Sequence, residues 1–385
     1  MEQVCTNRYI RFVVPGRMNE ELQYQIGLMM IDGIGDVNAK ALVAYCGSAS
    51  AVFRQSKAKL EKIPGIGETN SRSILCSSKV LKRAEEEIRF IEKYRIRPLF
   101  FTDTGYPARL RYCSDGPAML YYKGNADLNC ERIVGIVGTR KPSEYGIQKT
   151  TELVRDLAGT SILIISGLAY GVDCVAHKAA FAHGLATVGV LGHGLDRIYP
   201  NEHARLAKKM LSNGGLLTDF MSGTNPDAVN FPKRNRIVAG ICDALVVVES
   251  KRTGGSLITA TIANSYNKDV FAVPGRAGDV LAEGCNGLIK RNRAGMIENA
   301  DDLLYAMQWQ EQKERKKPVA QVPLMVNLTE EERTIIDLLK EKTASHIDEI
   351  CSGAGQPVSK VSALLLQLEF SNLVKSKPGK MYALA

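Results

Sequence analysis

Apolar residues in the middle of the chain gather in short runs of strand length, between residues 132 and 275. Segments with the spacing of amphipathic helices separate most of these runs. Because the runs are apolar throughout rather than at every second position, they indicate a parallel sheet with helices on both faces. The predicted strands are Ile133–Val137, Ile162–Ser166, Ala186–Leu191, Leu216–Thr218, Ala244–Glu249 and Val270–Val273.

The N-terminal part, residues 22–95, has a helical pattern that contains an internal repeat. The segments Ile31–Gly35 and Ile63–Gly67 share an apolar-Gly-apolar-Gly sequence, and each precedes a helical run. This resembles the helix-hairpin-helix repeat, in which glycines let backbone N–H groups approach a phosphate at a helix start. Two copies favour a DNA-related ancestry. The alternative is a compact helical domain whose hairpins are only tight turns, and direct DNA contact by this domain stays open.

The C-terminal part predicts three helices followed by a two-stranded hairpin, which is the layout of a winged helix. Thr329 and Glu332 form a capping box that opens the first helix. The third helix, Ser359–Phe370, carries only Lys360 as a cation, which favours packing or protein contact over reading of a DNA groove. The predicted organisation is a helical domain (1–95), an α/β domain (96–308) that begins with the short strands 98–101 and 119–122, a charged, proline-containing linker (309–327) and a winged-helix domain (328–385).

Most candidate binding residues fall where predicted strands end. In a parallel sheet these loops meet at one edge, and that edge is where such folds bind ligands. The loops bring glycines, hydroxyls and five cations: Arg140, Lys233, Arg234, Arg236 and Arg252. Glycine backbones at helix starts and guanidinium groups together indicate an anion site, and several cations at one edge fit a polyphosphate backbone better than one small phosphate.

Patterns typical of enzymes do not account for these loops. The spacing of Gly135 and Gly138, with Lys141 after them, does not fit the dinucleotide fingerprint, and no G-x-x-x-x-G-K-[ST] segment exists. Asp173 and His177 are one helical turn apart, and we interpret their role as structural hydrogen bonding at a helix start. We interpret His193 as a turn residue. The sequence therefore predicts no catalytic set, no metal site and no cofactor.

Composition excludes some classes of protein but does not identify a binding partner. The net charge of +9 is spread along the chain, so it permits an acidic partner but does not demand one. Nine dispersed cysteines without a C-x-x-C pair favour a reducing cytoplasm over a metal or disulfide framework. No apolar run reaches the roughly 18 residues of a membrane span, and the N-terminus has no apolar stretch typical of a secretory signal.

As a set, the loops resemble the DNA-processing protein A family (DprA, also called Smf). The stretches that carry the resemblance are GIVGTRKPSEYG, SGLAYGVDCVAHKAA, GHGLDRIYP, FPKRNRIVAG, GGSLITATIA, FAVPG and GCNGLIK. The resemblance implies an extended Rossmann-like domain between a helical (helix-hairpin-helix or SAM-like) domain and a winged helix. It also implies a recombination mediator without enzymatic activity, which binds and protects single-stranded DNA in natural transformation, helps load the RecA recombinase and dimerises through the Rossmann-like domain.

The resemblance also assigns the binding residues. The family's arginine after the first strand falls on Arg140, and its F-P-x-R-N-R cluster falls on residues 231–236. We expect this cluster to precede a helix, which in turn precedes the strand Ala244–Glu249. Phe231 and Tyr170 are candidates for stacking on bases, and the alternative for Phe231 is a buried ring before Pro232. The segment YPNEH departs from the family pattern around Asn201, and Lys290, Arg291 and Arg293 are candidates for further phosphate contacts. The predicted DNA-binding residues are Gly138, Thr139, Arg140, Ser166, Gly167, Phe231, Lys233, Arg234, Asn235, Arg236, Gly254, Gly255 and Ser256.

Two other functions remain as alternatives. Rossmann-like nucleotide phosphoribohydrolases also use glycine loops at this edge, but their P-G-G-x-G-T-x-x-E signature supplies a glutamate. The nearest segment here, GGSLITA, has no glutamate after it, which argues against hydrolysis. The second alternative is a transcription regulator that uses the winged helix.

Overall fold

Six helices form the N-terminal domain in the computed structural model, which describes residues 17–310, 328–340, 342 and 344–385. Most of the predicted linker, residues 311–327, lies outside the described residues. Ile31, Ile34, Ile63 and Ile66 are buried in one core, which explains the apolar positions of the repeat. The helices are α1 (Arg17–Met29), α2 (Asp36–Cys46), α3 (Ala49–Phe53), α4 (Lys57–Leu60), α5 (Glu68–Leu75) and α6 (Ser78–Tyr94).

The two predicted hairpins connect α1 with α2 and α4 with α5, and they face each other. Gly33 and Gly65 have φ values of 84° and 83°, the left-handed region that glycine adopts without strain. A Cβ on Gly33 would lie 2.6 Å from Asn70 Oδ1, and one on Gly65 would lie 2.9 Å from Asn38 Oδ1. Each glycine thus leaves room for an asparagine of the other repeat, so the sequence repeat has a structural counterpart.

A nine-stranded sheet follows, and it contains all six predicted strands. The two short strands before them join the same sheet as its edge, which the sequence pattern did not predict. The strands are β1 (Arg97–Phe100), β2 (Met119–Gly124), β3 (Ile133–Gly138), β4 (Leu163–Ser166), β5 (Thr187–Val190), β6 (Gly214–Thr218), β7 (Ala244–Val248), β8 (Asp269–Ala272) and β9 (Gly295–Met296).

The order of the strands creates a switch point next to β3. The order is β1-β2-β6-β5-β4-β3-β7-β8-β9; β1–β2 and β2–β6 are antiparallel and the other pairs are parallel. The chain proceeds from β3 through β4, β5 and β6 in one direction and then returns to place β7 and β8 on the other side of β3. A crevice opens at the carboxyl ends of strands at such a point.

Helices cover both faces of the sheet. On one face Leu245 and Val247 of β7 pack with residues from α11 and α12, and on the other Val246 and Val248 pack with residues from α8 and α9. Burial on both sides explains why these strands are apolar throughout. The helices are α7 (Ala108–Arg111), α8 (Glu144–Asp156), α9 (Val172–Ala182), α10 (Ala204–Met210, after a 3₁₀ turn at Asn201–His203), α11 (Asn230–Ile241), α12 (Gly255–Ser265), α13 (Glu283–Lys290) and α14 (Ala300–Ala306).

A small winged-helix domain ends the chain. The predicted capping box is confirmed, since the Glu332 N–H donates to Thr329 Oγ1 at 3.2 Å and the Thr329 N–H donates to Glu332 Oε2 at 2.8 Å. A three-stranded sheet in the order β10-β12-β11 adds one strand to the predicted hairpin. The elements are α15 (Glu330–Lys340), β10 (Ser345–His346), α16 (Ile347–Ala354), α17 (Val358–Phe370), β11 (Val374–Lys377) and β12 (Met381–Leu384).

The helical domain is joined to the sheet through a shared apolar core. Phe100, Met119 and Tyr121 of the edge strands lie in the same apolar cluster as the hairpin isoleucines. Among the described residues, no helix is both long and apolar enough to cross a bilayer.

Candidate functional site

A cavity of about 370 Å³ lies at the switch point, between the carboxyl ends of β3 and β7. The loops after these strands and the start of α11 form its walls, as the parallel topology requires. It is lined by Val137, Gly138, Thr139, Arg140, Ala169, Asp173, Phe231, Arg234, Asn235, Ser250, Lys251, Thr253, Gly254, Gly255, Ser256 and Thr259.

The start of α12 supplies one wall of this cavity. Gly254 is the N-cap, and in the described part of the chain no side-chain hydrogen bond caps this 11-residue helix. The first N–H groups of a helix have no intrahelical partner and carry partial positive charge, so they favour an anion in the cavity. A Cβ on Gly254 would lie 2.2 Å from Ser250 Oγ, which explains the glycine. The hydroxyl of the buried Ser256 donates to Ser250 Oγ at 2.9 Å, so it is engaged within this wall.

Arg140 supplies an exposed cation at the cavity mouth. Its guanidinium lies 5.6 Å from the centroid of the Phe231 ring, a cation–π distance. Among the described residues, no carboxylate lies within ion-pair distance of Arg140 and no acceptor takes a hydrogen bond from its side chain. Its five N–H donors are therefore available to a ligand.

Arg234 supplies a second cation, which is buried in the cavity wall. Its Nη1 donates to the carbonyl oxygens of Gly167 and Val190, and its buried Nε has no partner in the described part of the chain. A Cβ on Gly167 would lie 2.1 Å from this Nη1, so only glycine leaves room for the guanidinium. Burial lowers the pKa of Arg234 and Asp173 nearby opposes that change. An arginine keeps its charge under these conditions.

Asp173 holds the loop after β4. The carboxylate accepts a hydrogen bond from the Gly167 N–H at 3.1 Å, and the residue is in the first turn of α9. The predicted structural hydrogen bond at a helix start is thus made by Asp173, whereas His177 contacts Thr187 instead. Burial raises the pKa of Asp173, and the Arg234 guanidinium opposes the rise. The Ser166 hydroxyl is also structural, since it donates to the Ile136 carbonyl at 2.6 Å and does not line the cavity.

The F-P-K-R-N-R cluster differs from its predicted position. It was expected to precede a helix, but it forms the first turns of α11. Successive side chains therefore point in different directions: Phe231, Arg234 and Asn235 line the cavity, whereas Lys233 is exposed and Arg236 faces the helical domain. The predicted role of Arg236 in the cavity is not supported by its position, because its Nη2 pairs with Asp36 and with Asp219.

Aromatic rings lie around the mouth of the cavity. Phe231 is half-buried, and its ring centroid is 6.0 Å from that of the exposed Tyr199. Tyr170 is also exposed, and its hydroxyl donates to Glu202 at 2.9 Å. His193 is a buried turn residue, as predicted, and its Nε2 accepts from the Tyr199 N–H at 3.2 Å. The Tyr199 ring therefore lies next to Phe231, a lining residue, although the segment after it departs from the family pattern.

The basic segment after α13 lies away from the cavity. This helix begins beside β7, where the Gly284 N–H donates to the Ser250 carbonyl at 2.8 Å. The segment after its end at Lys290 reaches the C-terminal end of α12, where Asn264 Nδ2 donates to the Arg293 carbonyl at 2.9 Å, whereas the cavity lies at the N-terminal end of α12. Lys290, Arg291 and Arg293 therefore do not add to the cavity, contrary to the expectation from the sequence.

Sequence reasoning did not single out two residues of the site. Lys251 lines the cavity, and Glu249, the residue that follows β7, is buried behind the cavity wall. The signal for Lys251 was its place in the loop after a predicted strand. The signal for Glu249 was a charged residue at the end of an otherwise apolar strand.

Comparison with known proteins gives a consistent set of relatives. Residues 97–308 match the family described as DNA recombination-mediator protein A, and residues 319–380 match the DprA winged helix domain. A protein named Smf from Synechocystis is 31% identical over 94% of this chain and 99% of its own length.

Two solved structures are similar to the chain. DNA processing protein A from Streptococcus pneumoniae is 30% identical, has a TM-score of 0.61, and the match covers 74% of this chain and 97% of that one. DNA processing protein A from Helicobacter pylori, whose structure addresses its single-stranded DNA binding mode, is 28% identical with a TM-score of 0.51, over 56% of this chain and 96% of that one.

Proposed function

Because the chain belongs to the DNA recombination-mediator protein A family, also called DNA-processing protein A or Smf, we propose that it serves DNA processing by binding single-stranded DNA at the cavity. The cavity combines the start of α12, the exposed guanidinium of Arg140 and the buried charge of Arg234 in its wall. A backbone phosphate would accept hydrogen bonds from the Arg140 guanidinium and the helix start, and the charge of Arg234 would attract it. The exposed Arg140 guanidinium at the same cavity as the start of α12 is the observation that carries the proposal.

A single strand fits the site better than a duplex. The binding site is a crevice of about 370 Å³, not an exposed helix that could enter the groove of a duplex. Exposed aromatic rings lie at its mouth. Unpaired bases stack on aromatic rings, whereas paired bases in a duplex have their faces covered. Tyr199 and Phe231 would therefore contact bases while Arg140 and Arg234 hold the phosphate.

Further roles follow from the family. We propose that the protein protects single-stranded DNA in natural transformation, helps load RecA on it and acts as a homodimer through the Rossmann-like domain. We place this activity in the cytoplasm, where RecA and the imported strand meet. The cysteines at the described positions are free thiols, which agrees with a reducing compartment.

The enzyme alternative has less support from the lining of the cavity. Among the described lining residues the only carboxylate is Asp173, and it accepts the Gly167 N–H inside the wall. A hydrolase of this type needs a carboxylate directed at the substrate. Binding without hydrolysis is therefore the function we propose.

A titration of labelled oligodeoxythymidylate, followed by fluorescence anisotropy at several salt concentrations, tests the proposal. We expect tight binding of the single strand, weaker binding of a duplex of the same length, and a salt slope that falls by about 1 for Arg140→Ala. Lys208→Ala, which removes an exposed cation of α10 outside the lining, is the matched control. Equal affinity of wild type and Arg140→Ala, or hydrolysis of nucleotides without strand binding, would reject it.

A further inference from the structure

We propose that Glu249, which no sequence motif singled out, is a positioning residue that fixes Arg140 for the phosphate. The inference rests on the proposed function for its effect on DNA, but its structural part is independent of that function. Glu249 does not line the cavity; it lies behind the loop that carries Arg140 and is 6% exposed.

Glu249 holds the Arg140 loop at both ends. Its backbone carbonyl accepts the Thr139 N–H at 2.9 Å, directly before Arg140. Its side-chain Oε2 accepts the Ser143 N–H at 2.9 Å, and Oε1 accepts the Ser143 hydroxyl. One residue thus contacts the positions on each side of the segment Arg140–Pro142, which would otherwise be a short exposed loop.

The surrounding structure leaves space for the carboxylate at this position. A Cβ on Gly146 would lie 2.2 Å from Glu249 Oε2, so the glycine in the first turn of α8 leaves room for it. The carboxylate lies at the start of this helix, where the partial positive charge of the free N–H groups stabilises an anion. Ser143 is the N-cap of the same helix, with its hydroxyl accepting the Gly146 N–H at 3.2 Å. The carboxylate therefore fixes the helix start as well as the loop.

The backbone of Glu249 supports a role for the side chain. Its φ is 53°, in the left-handed region that glycine adopts far more easily than a residue with a side chain. A glycine would relieve that strain but would lose the carboxylate. Residues held in such conformations are concentrated at functional sites. The contacts with Ser143 give a physical reason for a glutamate at this position.

Arg140 depends on this arrangement because it has few other restraints. The Thr139 carbonyl accepts the Val172 N–H at 3.2 Å, which ties the first end of the loop to α9 as well. The second end is held by Glu249 through Ser143. Loss of the carboxylate would therefore release the end of the loop that follows Arg140. The Arg140 guanidinium would then occupy a wider range of positions.

A double-mutant cycle tests the proposal. We expect Glu249→Ala to weaken binding of oligodeoxythymidylate about tenfold, as for the loss of one hydrogen bond to a charged group. Added to Arg140→Ala, it should cause no further loss, because it acts through Arg140. Glu249→Gln should restore most of the affinity, since its amide oxygen can accept the Ser143 N–H while its amide group donates to the hydroxyl. Glu144→Ala, an exposed glutamate in the first turn of the same helix, is the control.

Amide hydrogen exchange without DNA provides the second readout. Glu249→Ala should speed exchange at Ser143 while leaving the amides of β3 unchanged. If Glu249→Ala does not fold, Ser143→Ala, which removes only the hydroxyl donor, should give a smaller loss of affinity that also vanishes in the Arg140→Ala background.

The outcomes separate the two proposals. Unchanged exchange at Ser143, or a loss of affinity that persists in the Arg140→Ala background, would overturn the role of Glu249. If wild-type protein fails to bind the oligonucleotide, the proposed function is rejected, and the exchange measurement alone still decides whether Glu249 positions the loop.

Discussion

Arg236 donates from one nitrogen, Nη2, to both Asp36 and Asp219, at 2.8 Å each. Asp36 opens α2 of the helical domain, and Asp219 directly follows β6 of the sheet. Asp36 also accepts the Ala118 N–H at 2.7 Å. A cation from the basic start of α11 is thus used to join two parts of the chain.

We therefore expect Arg236→Ala to destabilise the protein by about 3–5 kcal/mol, because it leaves two largely buried carboxylates facing each other without a cation. Urea unfolding of the full chain measures this change. Arg252→Ala should leave the free energy of unfolding within about 0.5 kcal/mol of wild type, since it is an exposed cation.

Arg236→Ala also tests whether Arg236 connects the helical domain to the sheet or contacts DNA. The salt slope of oligonucleotide binding for Arg236→Ala, measured at a temperature where it is folded, should equal that of wild type. A slope lowered by about 1 would show that Arg236 contacts a phosphate after all.

Gly167→Ala should damage the cavity through Arg234. The added Cβ would lie 2.1 Å from Nη1, against a guanidinium that is fixed by two backbone carbonyls. We expect at least tenfold weaker oligonucleotide binding, in line with the cost of one lost charge-assisted contact of about 1.5–3 kcal/mol. Gly287→Ala is the control, because nothing lies within 4 Å of its added Cβ. Normal affinity for Gly167→Ala would mean that Arg234 does not need its present position.

The sequence was sufficient for strands β3 to β8 and for the side of the sheet at which the cavity lies, but it did not predict the two-residue strands β9 and β10. Strands buried on both faces must be apolar throughout, and parallel topology brings the loops after them together. The sequence could not place Arg236, because its partner Asp36 is 200 positions away. It also misplaced the start of α11. Pro232 suggests a helix boundary, but the first turn of a helix tolerates proline since its N–H has no intrahelical partner.

His177 should make the protein sensitive to acid. Its Nδ1 lies 2.7 Å from Thr187 Oγ1, whose hydroxyl donates to the Ile164 carbonyl at 3.2 Å, so Nδ1 carries the proton. The buried Nε2 has no partner among the described residues. Burial, with the charges of His203 and Arg234, lowers the pKa of His177 to about 3.

The sign of the pH effect follows from this shift. An unfolded histidine binds a proton below about pH 6.5, whereas the folded one does so only near its pKa of about 3. Stability is therefore lost as the pH falls through this window, by up to about 1.4 kcal/mol per pH unit. Urea unfolding between pH 7 and pH 4.5 should show that the free energy of unfolding depends less on pH in His177→Asn than in wild type. The asparagine keeps a donor for Thr187. His183→Asn, at an exposed position, should follow wild type. Identical slopes for wild type and His177→Asn would contradict the shift.

Tyr199 should contribute to binding through its ring. It is 47% exposed, and its centroid is 6.0 Å from that of Phe231. We expect Tyr199→Ala to cost about 1–3 kcal/mol of binding free energy for oligodeoxythymidylate, without a change in salt slope, because stacking involves no phosphate. Tyr45→Ala, with a ring that is 66% exposed on the helical domain, is the control. Equal losses for both variants would rule out a specific stacking position.

The residues that line the cavity all lie between Val137 and Thr259, within a single continuous stretch of the chain. The described residues of the helical domain and the winged helix contribute none of them. Evolution can therefore exchange, shorten or duplicate either end of such a chain without rebuilding the pocket, provided that Arg236 keeps a carboxylate partner. Proteins that share this centre but differ at their ends are expected to keep one chemistry while they acquire different partners.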